Sequence, residues 1–471
     1  MGRKSHLAVK LMLSVADSSC MVNQRQAVVI VHGMGEQRPL DALTKFIRAG
    51  LPPVSTGDWR FYSKRDVASE SFESRRFLAP AEGARPQTEF FEYHWAHLMQ
   101  GNRMSDMLPT FLKLIRRLPP RGLGFAWLAS WVLLVLAGWG IFVLDIPFED
   151  EKSALENLLN IAFTVLGTGT FGVVLLFLAT RFGPSFITNS FVDVVRYLDT
   201  SPRSYAVRRD IREGMVELLR RLHEERIGGE PRYQRVIIVA HSLGAYIAYD
   251  GITSLWGMTR NAVAPGSPSL RTLETAAAAM PGWGEELPPT PDETTSYREA
   301  QWGLWTDLRA QGSQWRITDF ISCGTPMCFA ERLYTKNRRD FEARVARREI
   351  VTCPPLPQAE LGAGDTPLSF SWNGLSVLND WSPFAVVRWT NLYFPFIPSF
   401  CGFLGDWFGG PLGRLFGSGV RDIPVQGNKP WRLIPGWAHS CYFNFPDNRD
   451  DDDSVTSHLA VALDLTATLP D

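Results

Sequence analysis

The sequence predicts an α/β fold with a mostly parallel sheet, and three observations predict it. The apolar strand Ala27 to Val31 runs into a His-Gly turn and then a helix. A second continuous apolar run, Val236 to Val239, suits a strand buried on both faces, and a helix follows it at once. Strand and helix patterns alternate along the rest of the chain. In order, a helix is expected from Leu40 to Ala49 and a strand from Phe90 to Trp95. Tyr205 to Glu225 is an amphipathic helix, with Val207, Ile211, Met215, Leu218, Leu219 and Leu222 on one face. Met258 to Ala300 is rich in Pro, Gly, Ser and Thr and reads as a surface excursion or lid. Strands resume at Trp315 to Cys323, Phe384 to Leu392 and Arg421 to Val425, and Val455 to Leu465 closes the chain as a helix.

The composition narrows the class. The chain has 471 residues, 48 Lys+Arg against 49 Asp+Glu, 45% hydrophobic and 21% charged residues. That is ordinary globular usage, and it excludes a disordered chain, a collagen-like repeat and a disulfide miniprotein. The balanced charge argues against a nucleic-acid partner bound through a basic surface. Six scattered cysteines, without CxxC or Cys/His zinc spacing, read as reduced thiols. Neither H-E-x-x-H nor clustered carboxylates appear, so no metal and no cofactor is expected.

Two segments stand apart. Residues 122–144 and 157–180 are charge-free runs of 23 and 24 residues. At ~1.5 Å per residue each spans roughly 35 Å as a helix, enough for a ~30 Å hydrocarbon core. Lys113, Arg116, Arg117 and Arg121 precede the first, and Arg181 and Arg196 follow the second. The turn between them is acidic. The expectation is a transmembrane helical hairpin over 122–180, in a bacterial inner membrane, with both flanks and the catalytic domain facing the cytoplasm. Residues 1–26 then read as a leader or a mis-assigned start. Residues 27–121 and 181–471 read as two parts of one α/β domain, with the lid-like excursion near 258–300.

The sharpest chemical signal is Ala240-His241-Ser242-Leu243-Gly244, between the apolar strand and the small-residue helix. A nucleophile elbow needs that context: a strand, a tight turn carrying Ser, and a helix whose N-terminus faces the reaction. Small residues two before and two after the serine let strand and helix approach. Ser242 is the candidate nucleophile. The turn at His32-Gly33 supplies a second backbone donor, so Met34 and Leu243 N–H are the candidate oxyanion hole, worth ~3–4 kcal/mol each. His32 itself reads as a residue that fixes this loop. Among the eight histidines, His439 lies where a base should in the chain order Ser…Asp…His. The orienting acid belongs after the strand at 384–392 and before His439. From Trp381 to Arg421 the only acidic residue is Asp406, the first choice, with Asp380 and Asp422 as alternatives.

Taken together, VVIVHGMGEQRP, VIIVAHSLGAYIAYD, DFISCGTP, VVRWTNLY and WAHSCYF resemble the α/β-hydrolase superfamily, specifically its bacterial lipase/esterase-like serine hydrolases. The resemblance covers about 27–97 and 190–465. It implies a Ser242, His439, Asp406 triad with Met34 and Leu243 as oxyanion donors. The departures are Ala240 where the family has Gly, and the inserted apolar pair. The segment 394–416, FPFIPSFCGFLGDWFGGPLGRLF, surrounds Asp406 with aromatic residues and suits an apolar acyl pocket. The expected function is a membrane-anchored serine hydrolase of carboxylic esters, with a lipid or other apolar ester as substrate. An acyltransferase, a thioesterase or amidase with the same triad, and a non-catalytic membrane scaffold are the rival readings.

Overall fold

The apolar runs become the centre of a single sheet. The computed structural model describes residues 24–33, 40–50, 62–65, 75–99, 197–198, 202–285, 287–395, 406, 408–426, 437–440, 442–443 and 454–469. Among the described residues the main sheet has eight strands, β1 (Arg25–Val31), β2 (Tyr62–Arg65), β3 (Arg75–Ala79), β4 (Gln87–Tyr93), β5 (Arg235–His241), β6 (Ile317–Cys323), β7 (Arg388–Tyr393) and β8 (Arg421–Pro424), beside two small sheets of three and two short strands. The eight run across the main sheet in the order β8-β7-β6-β5-β1-β4-β3-β2. β4, β1, β5, β6, β7 and β8 pair in parallel, while β3 and β2 add an antiparallel edge.

The central strands are Val/Ile-rich because both sheet faces are covered. One face carries α2 (Pro202–Glu224), α3 (Gly244–Met258), α4 (Pro268–Ala279) and α5 (Pro291–Ala310); Ile211, Met215, Ile247, Leu304 and Trp305 are buried there. The other carries α1 (Asp41–Gly50) and α6 (Val455–Leu463), which bury Phe46, Ile47 and Leu459 on Val28, Ile30 and Ile237. The expected excursion at 258–300 is therefore largely two packed helices. Two of its Ser/Thr-Pro pairs are helix starts: Ser267 and Thr290 are N-caps, each followed by Pro, and Thr290 forms a capping box with Glu293.

The expected membrane hairpin is corrected. Among the described residues no helix is long and apolar enough to cross a membrane, so neither membrane anchorage nor the membrane location is supported. The two spans, 122–144 and 157–180, lie outside the described residues. The described helices fail for physical reasons. α2 has 23 residues but carries Arg208, Arg209, Glu213, Arg220 and Arg221. α3 is apolar but has 15 residues, about 22 Å, and spends that surface on the sheet.

The N-terminal ends of β5, β6 and β7 are tied by charge. Arg235, fully buried, donates to Asp319 Oδ2 (2.6 Å), Thr318 Oγ1 (2.8 Å) and the Asp464 carbonyl (2.7 Å). Arg388 donates to both Asp319 oxygens at 2.8 and 2.9 Å. Burial would raise the Asp319 carboxyl, but the two guanidinium groups outweigh it and hold it well below the usual range. Asp319→Ala is expected to cost about 3–5 kcal/mol, because it strands Arg235 in the core. Urea denaturation midpoints of the two proteins measure it.

Candidate active site

Register collects the chemistry at one sheet edge. Val31 is level with Ala240, His241 with Cys323, and Cys323 with Leu392. The turns leaving β1, β5, β6 and β7 therefore meet at the carboxyl ends of parallel strands, where α/β sheets bind ligands.

Ser242 leaves β5 with φ +55°, in the left-handed region. That conformation costs a non-glycine residue about 1–2 kcal/mol. Its surroundings hold it there. The Ser242 N–H donates to the Cys323 carbonyl at 3.0 Å, and α3 begins two residues on. Gly244 lets that helix reach β1: a Cβ there would stand 2.4 Å from the Val31 carbonyl oxygen and 2.6 Å from that of His32. The small residue read from the motif is required by backbone contact.

His439, on the short helix Trp437–Ser440, brings Nε2 to 2.8 Å from Ser242 Oγ. Its Nδ1 lies 3.1 and 3.2 Å from the two Asp406 oxygens. A carboxylate only accepts, so Nδ1 carries the proton and donates. Nε2 then presents its lone pair to the serine hydroxyl, which donates. Ser242, His439 and Asp406 are 0%, 3% and 1% exposed, and low local polarity strengthens each of these interactions.

Asp406 is held from both sides. The Phe408 N–H donates to Oδ1 at 2.8 Å, and the Tyr442 hydroxyl donates to Oδ2 at 2.9 Å. Tyr442 in turn accepts the Phe394 N–H at 2.8 Å. Burial would raise the Asp406 carboxyl, but His439 and these donors hold it below its ordinary value, so it stays ionised. Tyr442→Phe is expected to lower kcat about tenfold through a looser acid. It should also cost about 1–3 kcal/mol by stranding the Phe394 N–H; kcat and urea midpoints measure the two effects.

The alternative acids are placed elsewhere. Asp422 accepts the N–H groups of Leu412 and Gly413 and the Asn391 amide, at 2.7–2.9 Å. Asp380 is exposed ahead of β7. Leu243 follows the nucleophile as the N-cap of α3, and no hydrogen bond engages its N–H among the described residues. Met34 lies outside the described residues. His32 is a loop residue: Nδ1–H donates to the Gly33 carbonyl (2.8 Å), its carbonyl accepts from Trp95 Nε1 (3.0 Å), and the two rings stack. Burial pushes its imidazole down to about 4, so the ring is neutral.

Tyr442 and the Phe408 N–H escape sequence reasoning. Tyr442 lies only three residues past His439, but nothing in a local pattern says a tyrosine will reach back to the acid. No group of His, Cys, Asp and Glu among the described residues could hold a metal ion. No family model, curated protein or solved structure matches the chain.

Proposed function

We propose that the chain is a serine hydrolase of carboxylic esters, with Ser242 as nucleophile, His439 as base and Asp406 as orienting acid. The observation that carries this reading is the relay Ser242 Oγ, His439 Nε2, His439 Nδ1, Asp406 in unbroken hydrogen-bond contact. His439 would take the serine proton as Oγ attacks the ester carbonyl, then return it to the leaving alkoxide. Water, deprotonated by the same imidazole, would cleave the acyl-enzyme. The Leu243 N–H, at the positive end of α3, is offered as one oxyanion donor, with Met34 as the other. The motif resemblance to α/β-hydrolases supports the assignment.

An apolar acyl group suits the surroundings. Phe408, partly exposed, sets its ring 5.1 Å from that of His439, and buried Phe394 belongs to the same aromatic segment. p-Nitrophenyl esters of increasing acyl length test the reading, with the acyl product identified by mass spectrometry. Free acid, formed faster from longer chains, is the expected result. Acyl transfer to added glycerol in place of free acid would make the chain an acyltransferase, and turnover of amides alone would sink the ester assignment.

A further inference from the structure

His241 precedes the nucleophile, and neighbours at a sharp turn point apart. Here its ring reaches across to the other strand end. Nε2 lies 2.8 Å from the backbone carbonyl of His439, 198 residues away in sequence. A carbonyl only accepts, so Nε2 carries the proton and donates. Nδ1 faces Gly33: a Cβ at position 33 would stand 2.6 Å from it and 3.0 Å from Ser242 Cβ. The rings of His439, Tyr442 and Phe443 surround the imidazole at centroid distances of 4.9, 5.6 and 5.6 Å.

From this geometry we infer that His241 is a positioning residue for the base, clamping the backbone of the His439 turn so that the imidazole meets Ser242. The inference rests on the hydrolase reading and adds to it. The Asp406 contact fixes the rotation of the His439 ring, but it leaves the short helix Trp437–Ser440 to be placed. His241 supplies that placement from the strand that carries the nucleophile, so base and nucleophile share one rigid support. Gly33 is part of the device, since only a residue without a side chain leaves room for the ring. Burial, followed by the nearby His439, pushes the His241 imidazole down to about 3, so the ring is a neutral donor at ordinary pH.

The test compares His241→Ala and His241→Gln in the full chain. Gln carries an amide nitrogen at about the reach of Nε2; Ala carries no donor. His241→Ala is expected to lower kcat roughly 100-fold, the cost of a base displaced by about 1 Å, with KM unchanged because the clamp touches no substrate. It should also speed amide hydrogen exchange across 437–443. His241→Gln is expected to restore both, and carries the test alone if the Ala variant does not fold. Wild-type kcat or unchanged exchange in His241→Ala, or a His241→Gln as impaired as the Ala variant, would overturn the clamp. A wild-type chain inert towards a fluorophosphonate would instead remove the hydrolase reading, while the exchange result still decides whether His241 holds the turn.

Discussion

Ser242→Ala is expected to lower kcat for ester hydrolysis roughly a million-fold, with the fold intact. The loss is large because the triad acts as a unit. Without Oγ no acyl-enzyme forms, and His439 has no hydroxyl to deprotonate. What remains is binding and the oxyanion donors acting on free water. The side chain lost is small, and alanine is no easier in the left-handed region than serine, so the stability change should be slight. Initial rates on a p-nitrophenyl ester, beside thermal melts of both proteins, measure the two quantities separately. A variant within tenfold of wild type would show that Ser242 is a buried turn residue and nothing more.

Asp406→Asn is expected to lower kcat about ten-thousand-fold. Three donors converge on this carboxylate: His439 Nδ1–H, the Phe408 N–H and the Tyr442 hydroxyl. An asparagine has one acceptor oxygen and an NH2 group, so at least one donor would meet another donor. If that donor is His439, the imidazole shifts its proton to Nε2 and has no lone pair for Ser242. If it is Phe408 or Tyr442, the loop carrying residue 406 loses an anchor. Either outcome should cost about 1–3 kcal/mol as well. Full activity in Asp406→Asn, measured by the same rates and by urea denaturation, would mean that the acid does not orient the base.

The part of this site that could be read from sequence rests on short-range physics. A short, β-branched apolar run followed by small residues fits a buried strand entering a close-packed helix, and the approach of Gly244 to the Val31 and His32 carbonyl oxygens is why the small residue is needed. Asp406 emerged because 381–421 has no other acid, although nothing local said that Tyr442 would hold it. The elements that escaped are those whose polarity is set by position. β2 and β3, with sequences YSKR and RRFLA, are charged strands at a sheet edge, where burial is one-sided and alternation is weak. α4 and α5 were hidden by their own capping residues, which resemble loop composition. The two apolar runs at 122–180 show the limit from the other side. A charge-free stretch says that a segment avoids water, and not what covers it. His241 is the clearest case: a side chain beside the nucleophile in sequence touches the backbone of the base, a contact between residues 198 apart in the chain that no local pattern announces.

Fluorophosphonate labelling of the intact chain, with the adduct located by tandem mass spectrometry, tests the central claim most directly. The reagent phosphonylates a serine only where a neighbouring base activates it. The account predicts one adduct, on Ser242, lost in Ser242→Ala and strongly reduced in His439→Ala. Undiminished labelling of Ser242→Ala, or an adduct on another residue, would contradict it.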